Sequence, residues 1–431
     1  MRTAMRGLTT RGRCLLAAGC AAALCSLLLG EKDLLRVAVF LVALPLLSVA
    51  MLARTRFKLA CSRGIVPDRV SVGQTAEVHL ILHNVSLLPT SLLLLEDELP
   101  YTLGGRPRFT VERIGAGQHR TVRYAVRSDV RGRYPVGPLR LRLTDAFGLV
   151  ELTRSFSALD RLTVVPAVLP LPPAHLPGAR LTGTGATARS VTARGEEDAS
   201  IREYRHGDDL RKVHWRSTAR AGKMMVRREE RPWQARATLL LDTRHGAHAG
   251  DAPNSSFEWA VTATASIGVH LLRNGFVVSL ITGSAQPLVG ISTEHLLLDA
   301  LADARLTRNR GFATMTPVMR SAAREGTLIA ILGASTEDEA SRLANVRAGL
   351  SSSIAICIDP TTWLPLDPAG RHRATEAAHR QARIYGQHSW RVIPADRRTP
   401  LTKVWSQVGK SGDAATQSGP AATALAAGRR R

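Results

Sequence analysis

Residues 14–53 read CLLAAGCAAALCSLLLGEKDLLRVAVFLVALPLLSVAMLA, which is two apolar runs separated by the charged tripeptide Glu31-Lys32-Asp33. Each run, at residues 14–30 and 34–53, approaches the roughly 20 residues that a helix needs to cross a bilayer. A separation this short allows only a tight turn. The segment therefore predicts a hairpin of two transmembrane helices inside an N-terminal region at residues 1–59.

Basic residues flank the hairpin on both sides, as Arg2, Arg6, Arg11, Arg13, Arg54, Arg56 and Lys58. Positive charge close to a span favours the cytoplasmic side of the membrane, so both termini and the soluble domains are expected in the cytoplasm, with the hairpin in the plasma membrane. A basic leader before a short apolar run also fits a secretory signal peptide. The immediate second apolar run favours the hairpin.

The whole chain of 431 residues has a formal net charge of +23. Such an excess suggests anionic partners, namely lipid headgroups, nucleic acid or an acidic protein surface, although an arginine-preferring genome would give the same composition. Its 5 cysteines form no CxxC pair and no Cys/His spacing, so neither a disulfide framework nor a zinc site is indicated.

Residues 60–166 show a period of two. Residues 119–127 read HRTVRYAVR and residues 139–143 read LRLRL, with glycine-rich turns between such runs. Short alternating strands without helical patterns between them predict an immunoglobulin-like β-sandwich. Because no catalytic constellation occurs here, the segment is interpreted as a spacer or interaction module.

A linker at residues 167–200 precedes a motif segment at residues 201–235, where residues 201–232 read IREYRHGDDLRKVHWRSTARAGKMMVRREERP. The Gly-Asp-Asp run predicts a turn with an aspartate capping a short helix that begins near Leu210. A second turn then leads into a strand at residues 224–228. Arginines and acids alternate throughout the motif.

Four interpretations of this motif remain open. Asp208, Asp209 and His214 could form an acid/base or metal cluster, although their spacing gives poor convergence on a helix. Arginines with Trp215 could bind phosphates or single-stranded nucleic acid, which the interleaved acids oppose. The motif could also be a structural network of Arg–carboxylate pairs. Finally, Trp and Arg are the favoured anchors of a docking surface for a partner protein.

The core Tyr-x-x-Gly-Asp-Asp-x-Arg-x-x-His-Trp, followed by Ala-Arg and Met-Val-Arg pieces, resembles the signature of the domain of unknown function 58 family. This resemblance implies a membrane-anchored protein that associates with MoxR-type AAA+ ATPases, often alongside a transglutaminase-like membrane protein, and that has no established catalytic activity. The residues assigned to partner docking or to the structural motif are Arg202, Tyr204, Gly207, Asp208, Asp209, Arg211, His214, Trp215, Arg220 and Arg227.

Residues 236–407 alternate between strand and helix patterns. Strands are predicted at residues 237–242, 276–282, 327–332, 353–359 and 390–393, and helices at residues 255–273, 293–305, 337–350 and 371–385. This alternation predicts a doubly wound α/β domain with a parallel sheet. The remainder, residues 408–431, is rich in Ser, Gly, Ala and Thr and is predicted to be a disordered tail.

A sheet of this kind whose first strand ends on an aspartate, here Asp242, resembles the von Willebrand factor A fold. In that fold an Asp-x-Ser-x-Ser loop holds a divalent ion. Here Arg244 and Gly246 occupy the two hydroxyl positions, and the arginine adds a positive charge. Asp242 is therefore only a weak metal candidate, and no cofactor is expected.

The leading hypothesis is a non-enzymatic, membrane-anchored scaffold or adaptor that docks a MoxR-type AAA+ ATPase and contacts lipid. Two alternatives stay open. One is a divalent-metal-dependent hydrolase that uses Asp208, Asp209 and His214. The other is a nucleic-acid-binding protein driven by the net charge, although the acids within the motif argue against nucleic acid.

Overall fold

The computed structural model divides into two compact units, one of Met1–Ala167 with Leu298–Asp303 and the other of Val168–Leu297 with Ala304–Arg431. The described residues are 7–54, 59–87, 89–90, 92–144, 147–174, 176, 200–204, 213–228, 235–283, 287–308, 312, 316, 319, 326–347 and 352–409.

Two helices open the first unit, α1 at Thr10–Leu29 and α2 at Lys32–Arg54. The side chain of Thr9 caps α1 by accepting a hydrogen bond from the Gly12 backbone N–H, and Gly30 ends the helix with a left-handed φ of 72°. Both helices are long and apolar enough to cross a membrane. The predicted hairpin thus corresponds to a pair of adjacent helices.

The N-terminal end of α1 packs closely on the β-rich part of the same unit. Leu8 forms a β-bridge with Val150, and the Thr9 hydroxyl donates to the Gly148 carbonyl oxygen at 2.7 Å. Leu8, Leu149 and Val150 form a buried cluster with Val49 of α2. The residues just before α1 and the turn around Leu149 therefore form one packed layer.

Ten strands follow: β1 (Leu59–Val66), β2 (Arg69–Ser71), β3 (Thr75–Asn84), β4 (Leu93–Asp97), β5 (Arg108–Val111), β6 (His119–Arg127), β7 (Gly132–Val136), β8 (Leu139–Thr144), β9 (Glu151–Phe156) and β10 (Asp160–Val165). They form three sheets, with strand orders β1-β3-β6, β2-β10-β7 and β5-β4-β8-β9. All pairs are antiparallel except β2 with β10.

The sequence alternation of these strands corresponds to alternating burial. In β3, Val78, Leu80 and Leu82 are fully buried while the residues between them are more exposed. Successive side chains of a strand point to opposite faces, so one face of each sheet contributes to a shared apolar core. The period of two in the sequence is the direct signature of that core.

A two-stranded ribbon begins the second set of elements, with β11 at Ser200–Glu203 and β12 at Met225–Arg228. Between them lies the short helix α3 at Trp215–Ala221. The strand predicted at residues 224–228 is observed as β12. The helix predicted near Leu210 lies outside the described residues.

The α/β part has strands β13 (Arg236–Leu241), β14 (Val277–Ile281), β15 (Leu288–Ile291), β16 (Thr327–Leu332), β17 (Ser352–Ile358) and β18 (Arg391–Ala395). Its helices are α4 (Ser256–Arg273), α5 (Glu294–Asp303), α6 (Glu337–Ala344), α7 (Pro368–Gln387) and α8 (Leu401–Val408). The six strands form a single sheet in the order β15-β14-β13-β16-β17-β18.

Burial explains why the central strands were evident in the sequence. All six residues of β16 are buried, as expected of a strand covered on both faces of a parallel sheet, and such strands are nearly continuous apolar runs. Ser255 caps α4 by accepting from the Glu258 backbone N–H, at the residue where the sequence predicted the helix to begin.

Two elements differ from the prediction of a parallel sheet that ends near residue 393. Strand β15 is an antiparallel edge strand paired with β14, and three of its four residues are exposed, so it has no apolar period to detect. Helix α8 is a single amphipathic stretch whose Trp405 is fully buried. Helix α6 also ends earlier than predicted and continues as a short 3-10 turn at Asn345–Arg347.

Candidate functional site

The backbone of the motif segment is built around the β11–β12 ribbon. The Tyr204 N–H donates to the Met224 carbonyl oxygen at 2.8 Å, and the His214 N–H donates to the Met225 carbonyl oxygen at 2.8 Å. Val213 bridges Val226, and both side chains are buried. The start and end of the motif are therefore held together by main-chain hydrogen bonds.

His214 acts as the N-cap of α3. Its Nδ1 atom accepts from the Ser217 backbone N–H at 3.3 Å and lies 2.9 Å from the Ser217 hydroxyl. The Thr218 hydroxyl donates to the His214 carbonyl oxygen and accepts from the Met225 N–H. One imidazole nitrogen thus caps the N-terminus of the helix, which is a structural role.

Helix α3 presents its large side chains to solvent. Trp215 is 71% exposed, and Arg216 and Arg220 are exposed on the same helix. Lys223, just after the helix, pairs with Glu203 of β11 at 3.2 Å. We call the exposed side chains Trp215, Arg216 and Arg220 the Trp215 face.

The structure therefore places only part of the predicted motif. Tyr204, His214, Trp215 and Arg220 are described in full. Gly207, Asp208, Asp209 and Arg211 lie outside the described residues, so the proposed cluster of two aspartates with His214 stays a prediction. In the ribbon, the backbone of Arg202 in β11 pairs with β12, and the backbone of Arg227 in β12 pairs with β11. The side chains of both arginines lie outside the described part of the structure.

A second cluster lies at the carboxyl end of β13. Asp242 is fully buried, and its two carboxylate oxygens accept from the Arg244 guanidinium, Oδ1 from Nε at 3.0 Å and Oδ2 from Nη2 at 2.7 Å. The backbone N–H groups of Arg244 and Gly333 also donate to this carboxylate. Asp242, the weak metal candidate of the sequence, thus accepts hydrogen bonds from four N–H groups.

Arg244 also contacts the loop after β16. Its Nη1 atom lies 2.7 Å from the Glu339 carboxylate, and its Nη2 donates to the Ala334 carbonyl oxygen at 3.2 Å. The guanidinium carbon lies 4.0 Å from the centroid of the Phe312 ring. The guanidinium therefore bridges Asp242, the loop after β16 and Glu339 in the first turn of α6.

The side chain of His248 stabilises the loop after β13. Its Nε2 is 2.8 Å from the Asp242 carbonyl oxygen, which can only accept, so Nε2 carries the proton and Nδ1 accepts from the Ser256 hydroxyl at 3.1 Å. Burial lowers the pKa of His248, against the opposing effect of Asp242. The imidazole is consequently neutral at neutral pH.

The charges of the cluster stabilise one another. Burial would lower the pKa of Arg244, but its hydrogen bonds to Asp242 and Glu339 raise it on balance. Burial would likewise raise the pKa of Glu339, but the Thr336 backbone N–H and Arg244 hold it below its ordinary value. The ionised forms of Arg244 and Glu339 are therefore favoured together.

A cavity of about 890 Å³ opens beside this cluster. Its walls include Arg244 and Glu339, with His245, Arg308 and Thr336 as further polar side chains. Sequence reasoning singled out Asp242 and Arg244 but missed Glu339. The Thr336-x-x-Glu339 capping box, which is formed at the start of α6, was the available signal for that position.

A hard divalent cation needs free carboxylate, carbonyl or hydroxyl oxygens around it. Here the oxygens of Asp242 face a guanidinium, and the hydroxyl positions of the resembled loop are arginine and glycine. Within the described residues, no three His, Cys, Asp or Glu side chains group together as metal ligands would. The residues present do not fit a divalent ion.

Residues 200–301 match the family model described as "Protein of unknown function DUF58". The chain is also 25% identical over 240 residues to the "Uncharacterized protein YeaD" of Bacillus subtilis (strain 168), a match that covers 50% of this chain. The chain spans about half the length of that curated relative, 53%.

Among solved structures, the chain is similar to a CARDB domain from Pyrococcus furiosus solved in complex with di-metal ions, at 17% identity and a TM-score of 0.19. That match covers 26% of this chain and 90% of the other. A complex of zinc 2-glycoprotein and prolactin inducible protein from human seminal plasma matches at 10% identity and a TM-score of 0.20, covering 26% of this chain and 98% of the other.

Proposed function

We propose that this protein is a membrane-anchored adaptor without catalytic activity, which docks an AAA+ ATPase of the MoxR type through the Trp215 face. The observation that carries the proposal is the 71% exposure of Trp215 on a helix that also exposes two arginines. A single exposed aromatic ring is common on protein surfaces, but an exposed tryptophan beside arginines is typical of a surface that docks a partner.

The chemistry of the Trp215 face suits protein recognition. Trp and Arg are the side chains most enriched among residues that dominate binding energy, because both combine a large apolar surface with directional hydrogen bonding. Arg216 and Arg220 are four residues apart, so they lie on one side of the helix. An acidic groove on the partner would complement them.

The proposal also includes the fold of each domain and the membrane anchor. The strand order of the α/β sheet, with an antiparallel edge strand and an aspartate after its central strand β13, supports a von Willebrand factor A-like domain. Three sheets around one core support an immunoglobulin-like sandwich. The two apolar helices support a membrane anchor in contact with lipid, and the basic residues that flank them support cytoplasmic domains. The accompanying transglutaminase-like membrane protein is proposed from the family resemblance alone.

The test uses the full chain in detergent and a purified ATPase of the MoxR type from the same cell. Wild type should retain the ATPase on an affinity column, and binding should weaken as salt increases because arginines are involved. Trp215→Ala and Arg220→Ala should each lower the affinity, Trp215→Ala by at least about tenfold.

Tyr101→Ala is the matched control, because it removes an aromatic ring of the β-rich unit that is even more exposed, at 96%. It should bind like wild type. If folded wild type fails to retain the ATPase, the partner assignment is wrong. If Trp215→Ala binds as tightly as Tyr101→Ala does, the partner contacts a different face.

A further inference from the structure

The Asp242–Arg244–Glu339 cluster lies where two neighbouring strands of the sheet, β13 and β16, reach their carboxyl ends. Two carboxylates that contact one guanidinium would repel each other if that cation were absent. Such a pair is the arrangement that usually recruits a divalent ion. In this protein the guanidinium of Arg244 lies between the two carboxylates.

We propose that Arg244 is the resident cation of this site and permanently takes the place of a divalent metal ion. The geometry that supports this is bidentate: Nε and Nη2 face the two oxygens of Asp242, while Nη1 faces Glu339. A planar guanidinium matches a carboxylate in this way, whereas an ammonium group cannot. A metal ion would have to displace these hydrogen bonds and approach a like charge.

The resident guanidinium also fixes the walls of the adjoining cavity. Asp242 accepts from the Gly333 backbone, and Arg244 donates to the Ala334 carbonyl oxygen, so the loops after β13 and β16 are joined through this pair of side chains. The cavity is therefore formed before any ligand arrives. Whatever binds there meets a preformed surface and requires no divalent ion, a conclusion that does not depend on the identity of the docking partner.

The experiment removes the resident cation and supplies an external one. The double variant Arg244→Ser with Gly246→Ser restores a hydroxyl at both positions of the loop and leaves Asp242 and Glu339 uncompensated. Thermal unfolding of the detergent-solubilised full chain is measured with EDTA and with Mn²⁺, and bound Mn²⁺ is counted from the electron paramagnetic resonance signal of the free ion.

Wild type should unfold at the same temperature in EDTA and in Mn²⁺ and should bind no Mn²⁺ at this site. The double variant should unfold at a lower temperature in EDTA, should regain several degrees in Mn²⁺, and should bind one additional ion. Arg273→Ser is the matched control, because it removes an exposed guanidinium that is bidentate to Glu294 in the same domain. That control should gain no Mn²⁺.

The proposal is overturned if wild type itself binds one Mn²⁺ that Asp242→Asn abolishes, or if the double variant is as stable as wild type in EDTA. Arg244→Lys covers the case in which the double variant does not fold, since it keeps one positive charge in the space. Arg244→Lys should fold, and its unfolding temperature should not change with Mn²⁺. Stabilisation of Arg244→Lys by Mn²⁺ as large as the several degrees expected of the double variant would also overturn the proposal.

Discussion

At the scale of single residues, the β-rich unit depends on a buried charge network. Asp97 is fully buried in strand β4, where it accepts from the Arg63 guanidinium at 2.8 Å and from the Tyr124 hydroxyl. Arg63 also donates to the Val136 carbonyl oxygen at 2.9 Å. Because a buried charge without a partner is strongly unfavourable, each member of the network stabilises the others.

Arg63→Met should therefore destabilise the β-rich unit by about 3–5 kcal/mol, since it leaves Asp97 as an uncompensated buried carboxylate. Denaturant unfolding of the detergent-solubilised protein, followed by circular dichroism, measures the effect. Arg127→Met removes an exposed partner of Asp129 in the same unit and should change stability by less than about 1 kcal/mol. Equal effects of the two substitutions would contradict the role of burial.

The second prediction at this scale concerns pH and His248. Burial lowers the folded-state pKa of His248 below its ordinary value of 6.5, so the unfolded chain binds the proton more readily. The stability linked to this group is fully present above pH 6.5 and is lost as the pH falls from there through the folded-state pKa.

His248→Gln removes this titration, so its stability should fall less than that of wild type between pH 6.5 and pH 5. Chemical denaturation at a series of pH values gives both curves. His270, whose pKa is lowered by burial and by Arg273, contributes in the same direction in both proteins, so it cancels in the difference. Parallel curves for wild type and His248→Gln would contradict the assignment.

At the scale of elements, small residues set how closely the first helix approaches its neighbours. A side chain at Gly12 would overlap the Leu149 carbonyl oxygen, and one at Gly19 would lie 2.7 Å from the Val42 side chain on α2. Small residues at such positions allow helices to pack closely within a bilayer, where lipid is as apolar as the side chains. Gly12 therefore permits close approach of α1 to the turn around Leu149, and Gly19 permits close approach of α1 to α2.

Gly12→Leu should separate α1 from the turn around Leu149 and lower the unfolding temperature of the protein. The Thr9 cap and the Leu8–Val150 bridge would be strained by the same change. Thermal unfolding in detergent is the measurement, together with hydrogen exchange of the amide of Glu151, which donates to Gly7 at 2.7 Å.

Ala18→Leu is the control for this substitution, because it adds the same side chain at an exposed position of the same helix. It should leave both the unfolding temperature and the Glu151 exchange rate unchanged. The packing interpretation is wrong if Gly12→Leu behaves as Ala18→Leu does.

At the scale of the whole molecule, the charge of the chain bears on its orientation. The net charge is +23, and basic residues precede α1 and follow α2, while the turn between the helices carries Glu31, Lys32 and Asp33. Positive flanks favour the cytoplasmic side. The adaptor proposal needs this orientation, because an ATPase could reach the Trp215 face only from the cytoplasm.

An epitope inserted after Lys32 should consequently be reached by antibody on intact cells with a permeable envelope, or on right-side-out vesicles. An epitope appended to the C-terminus of the chain should be reached only after the membrane is opened. The reverse pattern would place the soluble domains outside the cell and would contradict the orientation.

Sequence alone was sufficient for the elements whose residues share one environment. The two apolar runs were evident because an apolar run of this length is typical of a membrane-spanning helix. Strands such as β8 and β16 were evident because burial on one or both faces fixes their pattern. The short motif strand β12 also followed from its flanking turn. Strand β15 gave no such pattern, since it is mostly exposed and is held by pairing with β14.

Only the tertiary structure decided the surroundings of Asp242. The sequence placed an aspartate at the end of a strand and an arginine two residues later, which made metal binding doubtful without saying what the carboxylate contacts. Glu339 lies far along the chain, and it meets Arg244 because β13 and β16 are neighbours in a parallel sheet whose carboxyl ends converge at one edge. The sheet order, rather than any local pattern, brings the two carboxylates to one guanidinium.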